Sequence, residues 1–254
     1  MIDKSLTNHS SGIAYSKINQ REHLRLFCFP YAGAGVSIFR NWSNCLPQVI
    51  KVCPVELPGR GTRSKENLFT RLLPLVDCMA KEIRPYLDMP FAFFGHSLGA
   101  LICFELTRFL RRENFVSPIH LFVSGRIAPQ FPDSDPPIHQ LPESEFIREL
   151  HHFNGTPESV LQNFELMKLM LPAIRADFAI CETYSYAIED PLNCPISTFG
   201  GLQDSLASRD EIVAWREQTR KRFILRMFPG DHFFLKSSQE LLLQAILQDL
   251  MEYL

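Results

Sequence analysis

The chain has 254 residues, of which 46% are hydrophobic and 21% are charged. This size fits one large globular domain or two small ones. We predict a single domain over residues 1–254, because no Gly/Ser linker, charge block or internal repeat divides the chain. The formal net charge of −2 excludes the strongly basic surface that electrostatic binding to nucleic acid or to a membrane requires.

The polar N-terminus and the cysteines indicate the compartment. Residues 1–22 contain no apolar core of the length found in signal peptides, so we expect a poorly ordered N-terminal segment there. The sequence contains no run of 18 apolar residues, so no membrane-spanning helix is predicted. The seven cysteines form no C-x-x-C pair, and most lie in apolar patterns, as buried reduced thiols do. We therefore predict a cytoplasmic protein.

Strand and helix patterns alternate through the first half of the chain. Strands are predicted over residues 24–29, 50–57, 91–94 and 119–124. Helices are predicted through Phe39 and Trp42, and over residues 69–87 and 100–112.

The alternation pauses near residue 128, where prolines punctuate a polar stretch, and it resumes near residue 196. Helical patterns cover residues 143–153, 157–170 and 172–186. Strands are then predicted over residues 196–199 and 223–228, and helices over residues 210–221 and 237–253. The alternation predicts an α/β fold with a mostly parallel central sheet and helices on both faces. The pause predicts a helical lid inserted over about residues 130–190, above the sheet edge where such folds bind ligands.

The motif Gly95-His96-Ser97-Leu98-Gly99 lies between a predicted buried strand and a predicted helix. A Ser at the apex of a sharp strand–turn–helix, with Gly on both sides, is typical of a nucleophile elbow. The Ser adopts a strained backbone that lifts its hydroxyl above the sheet, and side chains beside it would collide with the neighbouring strand and helix. A Gly-rich turn with an incidental Ser is the alternative, so the assignment depends on partners for Ser97.

A nucleophilic Ser needs a base within hydrogen-bond reach and an acid that orients the base. His232 is the predicted base, because it follows the last predicted strand and precedes the final helix. Asp204 follows the preceding strand and is the predicted acid, whereas Asp190 precedes that strand and Asp210 begins the next helix. The order Ser97, Asp204, His232 is that of α/β-hydrolase triads. The simpler alternatives are a helix-capping role for Asp204 and a surface position for His232.

An oxyanion hole needs two backbone N–H groups aimed at the developing negative charge. Leu98, directly after the Ser at the start of a helix, is one predicted donor. The other lies in the loop after the first strand, where small residues let the backbone approach a ligand. Ala32 is the predicted donor there, with Tyr31 as the alternative. A plain strand–helix turn would also explain the glycines of this loop.

Several segments resemble the type II thioesterases, the discrete proofreading thioesterases of non-ribosomal peptide and polyketide synthases. They are residues 29–35 (Phe-Pro-Tyr-Ala-Gly-Ala-Gly), 57–63 (Leu-Pro-Gly-Arg-Gly-Thr-Arg), 95–99, 124–129 (Ser-Gly-Arg-Ile-Ala-Pro), 171–178 (Leu-Pro-Ala-Ile-Arg-Ala-Asp-Phe), 201–204 and 230–235. The chain departs from the family in the Gly-Ala-Gly that follows Ala32, where Gly-Gly-Ser is commoner, and in Gly61, where Glu is frequent. Neither departure affects a predicted catalytic side chain.

The resemblance implies an α/β-hydrolase that removes acyl groups from the phosphopantetheine arm of a carrier protein. We expect a monomer that meets its synthase partner transiently. Because a thioester lacks amide resonance and its thiolate leaves easily, we expect the triad to suffice without a metal or an organic cofactor. Three related activities stay open: release of medium-chain fatty acids, hydrolysis of simple carboxylic esters, and acyl transfer to an alcohol or amine. A catalytically silent module that binds carrier proteins is the alternative outside enzymes.

Apolar residues of the predicted lid have two interpretations, because they could line an acyl pocket or pack the lid on the core. They are Phe146, Phe153, Leu161, Phe164, Met167, Met170 and Phe178. The candidate substrate-contacting residues are Tyr31, Phe153, Met167, Phe178 and Phe233. Basic residues such as Arg126 and Arg175 could meet an acidic carrier protein or act as structural charges.

Overall fold

Six parallel strands form a sheet in the computed structural model, which describes residues 22–132, 136–153, 155, 160 and 162–254. The strands are β1 (Leu24–Phe29), β2 (Ile50–Pro54), β3 (Phe91–His96), β4 (His120–Ser124), β5 (Ile196–Gly201) and β6 (Phe223–Phe228). Their spatial order is β2-β1-β3-β4-β5-β6, and each neighbouring pair is parallel. The order reverses between β1 and β3, and a sheet of this kind binds ligands at the carboxyl ends of the strands beside such a reversal.

The helices connect the strands and extend beyond the last one. They are α1 (Trp42–Cys45), α2 (Leu72–Ile83), α3 (Leu98–Arg112), α4 (Glu143–Phe153), α5 (Phe164–Glu182), α6 (Arg209–Val213), α7 (Phe234–Ser237) and α8 (Gln239–Leu250). Short 3-10 helices cover Val36–Phe39, Gly61–Arg63, Arg84–Tyr86, Ala214–Gln218 and Met251–Tyr253. The predicted N-terminal segment lies outside the described residues except at Glu22. Leu161 and most of the first turn of the helix predicted over residues 157–170 also lie outside them.

Alternate residues of the central strands face two different cores. Phe27 and Phe93 pack into the core that contains α2 and α3. Leu26 and Phe94 pack into the core that contains α1 and α8. Side chains alternate between the two faces of a strand, so these runs of buried residues are covered by helices on both sides. The predicted α/β-hydrolase class, with a central sheet between helices, is confirmed.

Helices α4 and α5 lie between β4 and β5 in the chain, where the insertion is predicted. They share an apolar core of their own that includes Leu150, Leu171 and Ile174. One prediction about this region is wrong, because α5 runs through Pro172, where two separate helices are predicted. Proline removes one backbone hydrogen bond from a helix. The buried face of α5 on both sides of Pro172 offsets that cost and keeps the helix continuous.

None of the seven cysteines forms a disulfide bond, and Cys28, Cys53, Cys103 and Cys194 are buried. Burial is the main cause that raises the pKa of Cys53 to about 12, so this thiol stays protonated and unreactive. Among the described residues, no helix is both long and apolar enough to cross a membrane.

A buried histidine in β4 links stability to pH. His120 is 1% exposed, and its Nε2 lies 2.9 Å from Ser197 Oγ. Desolvation lowers the pKa of His120 from 6.5 to about 4, against the opposing charge of Asp249. Between these values the unfolded chain binds the proton and the folded chain does not. The contribution of neutral His120 to the free energy of unfolding is therefore fully present above the pKa of the unfolded state. It falls by about 3 kcal/mol as the pH drops towards the pKa of the folded state.

We expect His120→Gln to remove this part of the pH dependence, because glutamine carries no titrating group. Urea unfolding of both proteins at about pH 7 and about pH 4.5 measures the difference. The wild type should lose more free energy of unfolding than the variant over this interval. An equal loss in both proteins would contradict the assignment to His120.

Candidate active site

Ser97 stands at the junction of β3 and α3 with a strained backbone. Its φ is 53° and its ψ is −112°, outside the regions that residues other than glycine favour. The Ser97 N–H donates a hydrogen bond of 2.8 Å to the carbonyl of Ser124 at the end of β4. This bond fixes the turn to the neighbouring strand and holds Ser97 at the carboxyl edge of the sheet.

The glycines on either side of this turn have no room for a side chain. A Cβ at Gly95 would lie 2.1 Å from the carbonyl oxygen of Gly99, and a Cβ at Gly99 would lie 2.1 Å from that of Phe29. Both contacts are with backbone atoms, which cannot rotate away. The close approach of β1, β3 and α3 at this point therefore requires Gly at both positions.

We expect Gly99→Ala to lower the free energy of unfolding by about 3 kcal/mol or more, since the new methyl group must displace backbone. Gly35→Ala is the matched control, because a Cβ there meets no atom within 4 Å. Urea unfolding should show the loss for Gly99→Ala and a change of less than about 0.5 kcal/mol for the control. Equal stability of the two variants would show that the elbow tolerates a side chain.

His232 and Asp204 form a buried pair on the loops after β6 and β5. His232 Nδ1 lies 2.9 Å from Asp204 Oδ2, and the Asp204 side chain is 0% exposed. With Nδ1 donating to the carboxylate, Nε2 is the ring nitrogen left to accept a proton. The other Asp204 oxygen accepts a 2.8 Å hydrogen bond from the Leu206 N–H. Ser208 caps α6, so the helix-capping interpretation of Asp204 does not hold.

Ser97 and His232 line one cavity of about 540 Å³. Within the part of the chain that the structure describes, the Ser97 hydroxyl forms no hydrogen bond with His232. Such contacts are often loose in a free enzyme and shorten when substrate binds. The structure therefore brings the predicted nucleophile, base and acid to one place.

His96 packs against His232, the candidate base. No signal in the sequence predicts this contact. Its ring lies 5.1 Å from the His232 ring, and its Nδ1 lies 2.9 Å from Ser124 Oγ. Burial lowers the pKa of His96 well below its usual value, and the charge of His232 acts in the same direction. A neutral His96 packs behind His232 without adding a positive charge beside it.

One predicted oxyanion donor follows Ser97 directly in the chain, and the other lines the same cavity as Ser97. Leu98 is the first residue of α3, and the N–H groups of a first helical turn have no partner within the helix. Ala32 lies in the loop after β1 and lines the same cavity as Ser97. The next N–H, that of Gly33, donates to Asp177 Oδ2 at 2.8 Å and is not free for a substrate. The roles of Ala32, Leu98 and Tyr31 as donors stay predictions.

Aromatic side chains form much of the cavity wall. Four of the five predicted substrate-contacting residues line it, namely Tyr31, Phe153, Phe178 and Phe233. Met167, the fifth predicted residue, does not line it: it is 3% exposed and packs in the core that α4 and α5 share. Met167, Ile174 and Phe178 lie on one face of α5, and only the later turns of the helix, which carry Ile174 and Phe178, reach the cavity.

Phe146, Phe164 and Arg175 of the predicted lid do not line the cavity. Phe146 is buried in the core of α4 and α5, and Phe164 is 71% exposed. Arg175 donates hydrogen bonds to the carbonyls of His139 and Leu141 at 2.6 and 2.8 Å, which makes it a structural charge. Within the described ranges, no group of three His, Cys, Asp or Glu side chains is placed to hold a metal ion.

Comparison with known proteins gives the family. The family model of the thioesterase domain matches residues 24–250. The chain belongs to the thioesterase family. The gramicidin S biosynthesis protein GrsT of Aneurinibacillus migulanus is 50% identical, over 88% of each chain. The solved structure of the type II thioesterase BorB from the borrelidin biosynthetic cluster is 32% identical, with a TM-score of 0.86 over 96% of this chain and 99% of that one.

A third relative is a thioesterase of fatty acid synthase. The medium-chain S-acyl fatty acid synthase thioesterase of Rattus norvegicus is 30% identical, over 83% of this chain and 81% of its own. The chain is therefore less similar in sequence to the rat thioesterase than to GrsT. The predicted resemblance to type II thioesterases is confirmed, and with it the class of thioester hydrolase.

Proposed function

We propose that this protein hydrolyses acyl thioesters on the phosphopantetheine arm of carrier proteins and so clears wrongly loaded modules of a peptide or polyketide synthase. The observation that carries the proposal is the meeting of Ser97 with the His232–Asp204 pair at one apolar cavity in a member of the thioesterase family. The 50% identity to a gramicidin S biosynthesis protein supports the synthase as the setting.

The reaction starts at Ser97. His232 Nε2 removes the hydroxyl proton as Oγ attacks the thioester carbonyl, and Asp204 stabilises the resulting imidazolium. The N–H groups of Ala32 and Leu98 bind the tetrahedral oxyanion. The C–S bond then breaks, and the pantetheine thiolate takes the proton from His232.

The second half of the reaction frees the enzyme. The product of the first half is an acyl ester on Ser97, and the carrier leaves with a free thiol. A water molecule attacks the ester, and His232 again accepts a proton and returns it to Ser97 Oγ. The products are the free acid and the holo carrier protein. A thioester lacks the resonance of an amide, so these side chains suffice for the chemistry.

Helices α4 and α5 act as a lid in this proposal. Phe153 and Phe178 supply an apolar wall for the acyl chain, while Phe233 lies beside the base. Tyr31 and Phe233 are in edge contact, with ring centroids 5.1 Å apart. The cavity lining also includes the charged residues Arg126, Glu149 and Glu182. The aromatic part of the wall nevertheless selects an acyl chain mainly by its size, which suits a protein that edits varied acyl groups.

The protein acts in this proposal as a cytoplasmic monomer that meets its carrier transiently. The seven cysteines, none of which forms a disulfide bond, support a reducing compartment.

The test is hydrolysis of acyl groups from acetyl to decanoyl on a holo carrier protein, beside p-nitrophenyl esters of the same acids. The proposal expects kcat/KM to be higher for the carrier thioesters and highest for short chains. A sharp medium-chain optimum would favour the fatty-acid-release activity of the rat relative. Turnover of the esters alone would leave a carboxylesterase. Transfer of the acyl group to an added alcohol or amine in place of water would indicate an acyltransferase. Binding of the carrier protein without turnover would indicate a catalytically silent module.

A further inference from the structure

Helix α5 carries a buried carboxylate that has no part in the proposed chemistry. Asp177 is 0% exposed. Its Oδ2 accepts hydrogen bonds from the Gly33 N–H at 2.8 Å and from Arg60 Nη1 at 2.5 Å, and its Oδ1 accepts from Arg60 Nη2 at 2.8 Å. The carboxylate thereby joins three segments distant in the chain: the lid helix, the loop after β1 and the loop that contains Arg60.

An ion pair of this kind is a costly way to stabilise a fold. Desolvation of two charges offsets most of their attraction, and apolar residues of similar volume often stabilise as well or better. The pair instead fixes the orientation of Asp177, because a bidentate guanidinium holds the plane of the carboxylate. The fixed carboxylate in turn holds one backbone N–H, that of Gly33.

The held N–H belongs to the peptide that joins Ala32 to Gly33. Ala32 lines the cavity with Ser97 and is the proposed oxyanion donor of this loop. A backbone donor is effective only when it points at the oxyanion before the reaction starts. A rotation of the Ala32–Gly33 peptide would turn the Ala32 backbone as well.

Helix α5 also contacts the loop through a second side chain. Ile174, one turn before Asp177, lies so close that a Cβ on Gly33 would be 3.1 Å from Ile174 Cγ1. Ile174 and Phe178 line the cavity, so the face of α5 that covers the substrate space is the face that holds the loop. Displacement of α5 would release both contacts at once.

We propose that Asp177 is a positioning residue for the oxyanion hole: it orients the Ala32 N–H through Gly33 and makes that orientation depend on α5 lying against the loop. The inference rests on the proposed function, since it concerns the same reaction. It means that the transition state is stabilised fully only when the lid helix is in place over the cavity.

Asp177→Asn tests the inference, because its NH₂ group cannot accept a hydrogen bond. One amide oxygen can still accept from Gly33 and Arg60 Nη1, but NH₂ then faces Arg60 Nη2, and the bidentate contact that fixes the plane of the side chain is lost. We expect kcat for a carrier-bound acyl thioester to fall by about 10- to 100-fold, with KM changed less than about 2-fold. The affinity for an acyl trifluoromethyl ketone, which forms a tetrahedral oxyanion on Ser97, should fall by a similar factor. The affinity for the matching thioether, which forms none, should not change.

Asp249→Asn is the matched control. Asp249 is a buried carboxylate with a similar bidentate partner, Arg226, at 2.6 and 2.7 Å, and it does not line the cavity. Both variants should lose thermal stability, but only Asp177→Asn should lose kcat and affinity for the ketone. Equal kinetic behaviour of the two variants would overturn the inference and leave Asp177 as a structural residue.

Arg60→Lys decides the question if Asp177→Asn does not fold. Lysine keeps the charge but not the bidentate contact, so the ketone should bind about 3- to 10-fold more weakly while thioether binding is unchanged. Unchanged ketone binding would overturn the inference. Failure of the proposed function is distinguishable, because it would appear as a wild type without Ser97-dependent turnover, whatever the result for Asp177.

Discussion

Replacement of Ser97 by Ala should lower kcat for a carrier-bound acyl thioester by about four orders of magnitude or more. The methyl group cannot attack the carbonyl, so no acyl-enzyme forms. Any residual rate comes from substrate binding and from the backbone N–H groups that stabilise the oxyanion with bound water as the nucleophile. Alanine removes one atom from a side chain without a hydrogen-bond partner among the described residues, so the fold should be little affected. Single-turnover release of acid from a loaded carrier measures the rate.

Ser208→Ala is a matched control for this change. Ser208 caps α6 with its side chain and lies outside the cavity. It should lose about 1 kcal/mol of stability and keep its kcat. If Ser97→Ala retained more than about a tenth of the wild-type rate while Ser208→Ala behaved as expected, the nucleophile would lie elsewhere.

Replacement of Asp204 by Asn should have the second largest effect, with kcat lower by about 1,000- to 10,000-fold. The Asp204 carboxylate is 0% exposed and lies 2.9 Å from His232 Nδ1. A neutral amide cannot stabilise the imidazolium that forms when Ser97 loses its proton. Its NH₂ group also favours the tautomer with hydrogen on Nε2, which cannot act as the base. The measurement is kcat with the same carrier substrate.

Asp231→Asn provides the comparison for this prediction. Asp231 precedes the base, and its Oδ1 accepts a 2.8 Å hydrogen bond from the Phe233 N–H, which an amide oxygen can also accept. Its kcat should stay within about 3-fold of the wild type. A larger loss of kcat for Asp231→Asn than for Asp204→Asn would show that Asp204 is not the acid.

Local patterns were enough to predict much of the sheet and the place of the catalytic candidates. β1 and β6 have the predicted bounds, since each is a short apolar run ended by a turn signal. Ser97 lies on a strand–turn–helix recognisable from adjacent residues, and Asp204 and His232 follow strands in a fixed order. Each candidate residue was therefore recognisable from its neighbours in the chain, and the order of the strands indicated that the three would meet at one edge of the sheet.

Features that depend on packing between distant segments could not be predicted in the same way. Pro172 is a helix-breaking signal, but the buried face of α5 keeps that helix continuous. Met167 and Phe178 are both apolar and on one helix, and only the position of α4 decides which faces the cavity. The pair between Arg60 and Asp177 joins residues 117 positions apart, and no local pattern connects them.

The central claim is that Ser97 takes an acyl group from a carrier-bound thioester. Intact-mass and peptide-mass spectra of the enzyme, quenched within one turnover after mixing with an acyl-loaded carrier, test it most directly. The account predicts loss of the acyl mass from the carrier, a matching adduct on the Ser97 peptide that disappears with time, and release of the free acid. An acyl group that stays on the carrier, or an adduct on any other residue, would contradict it.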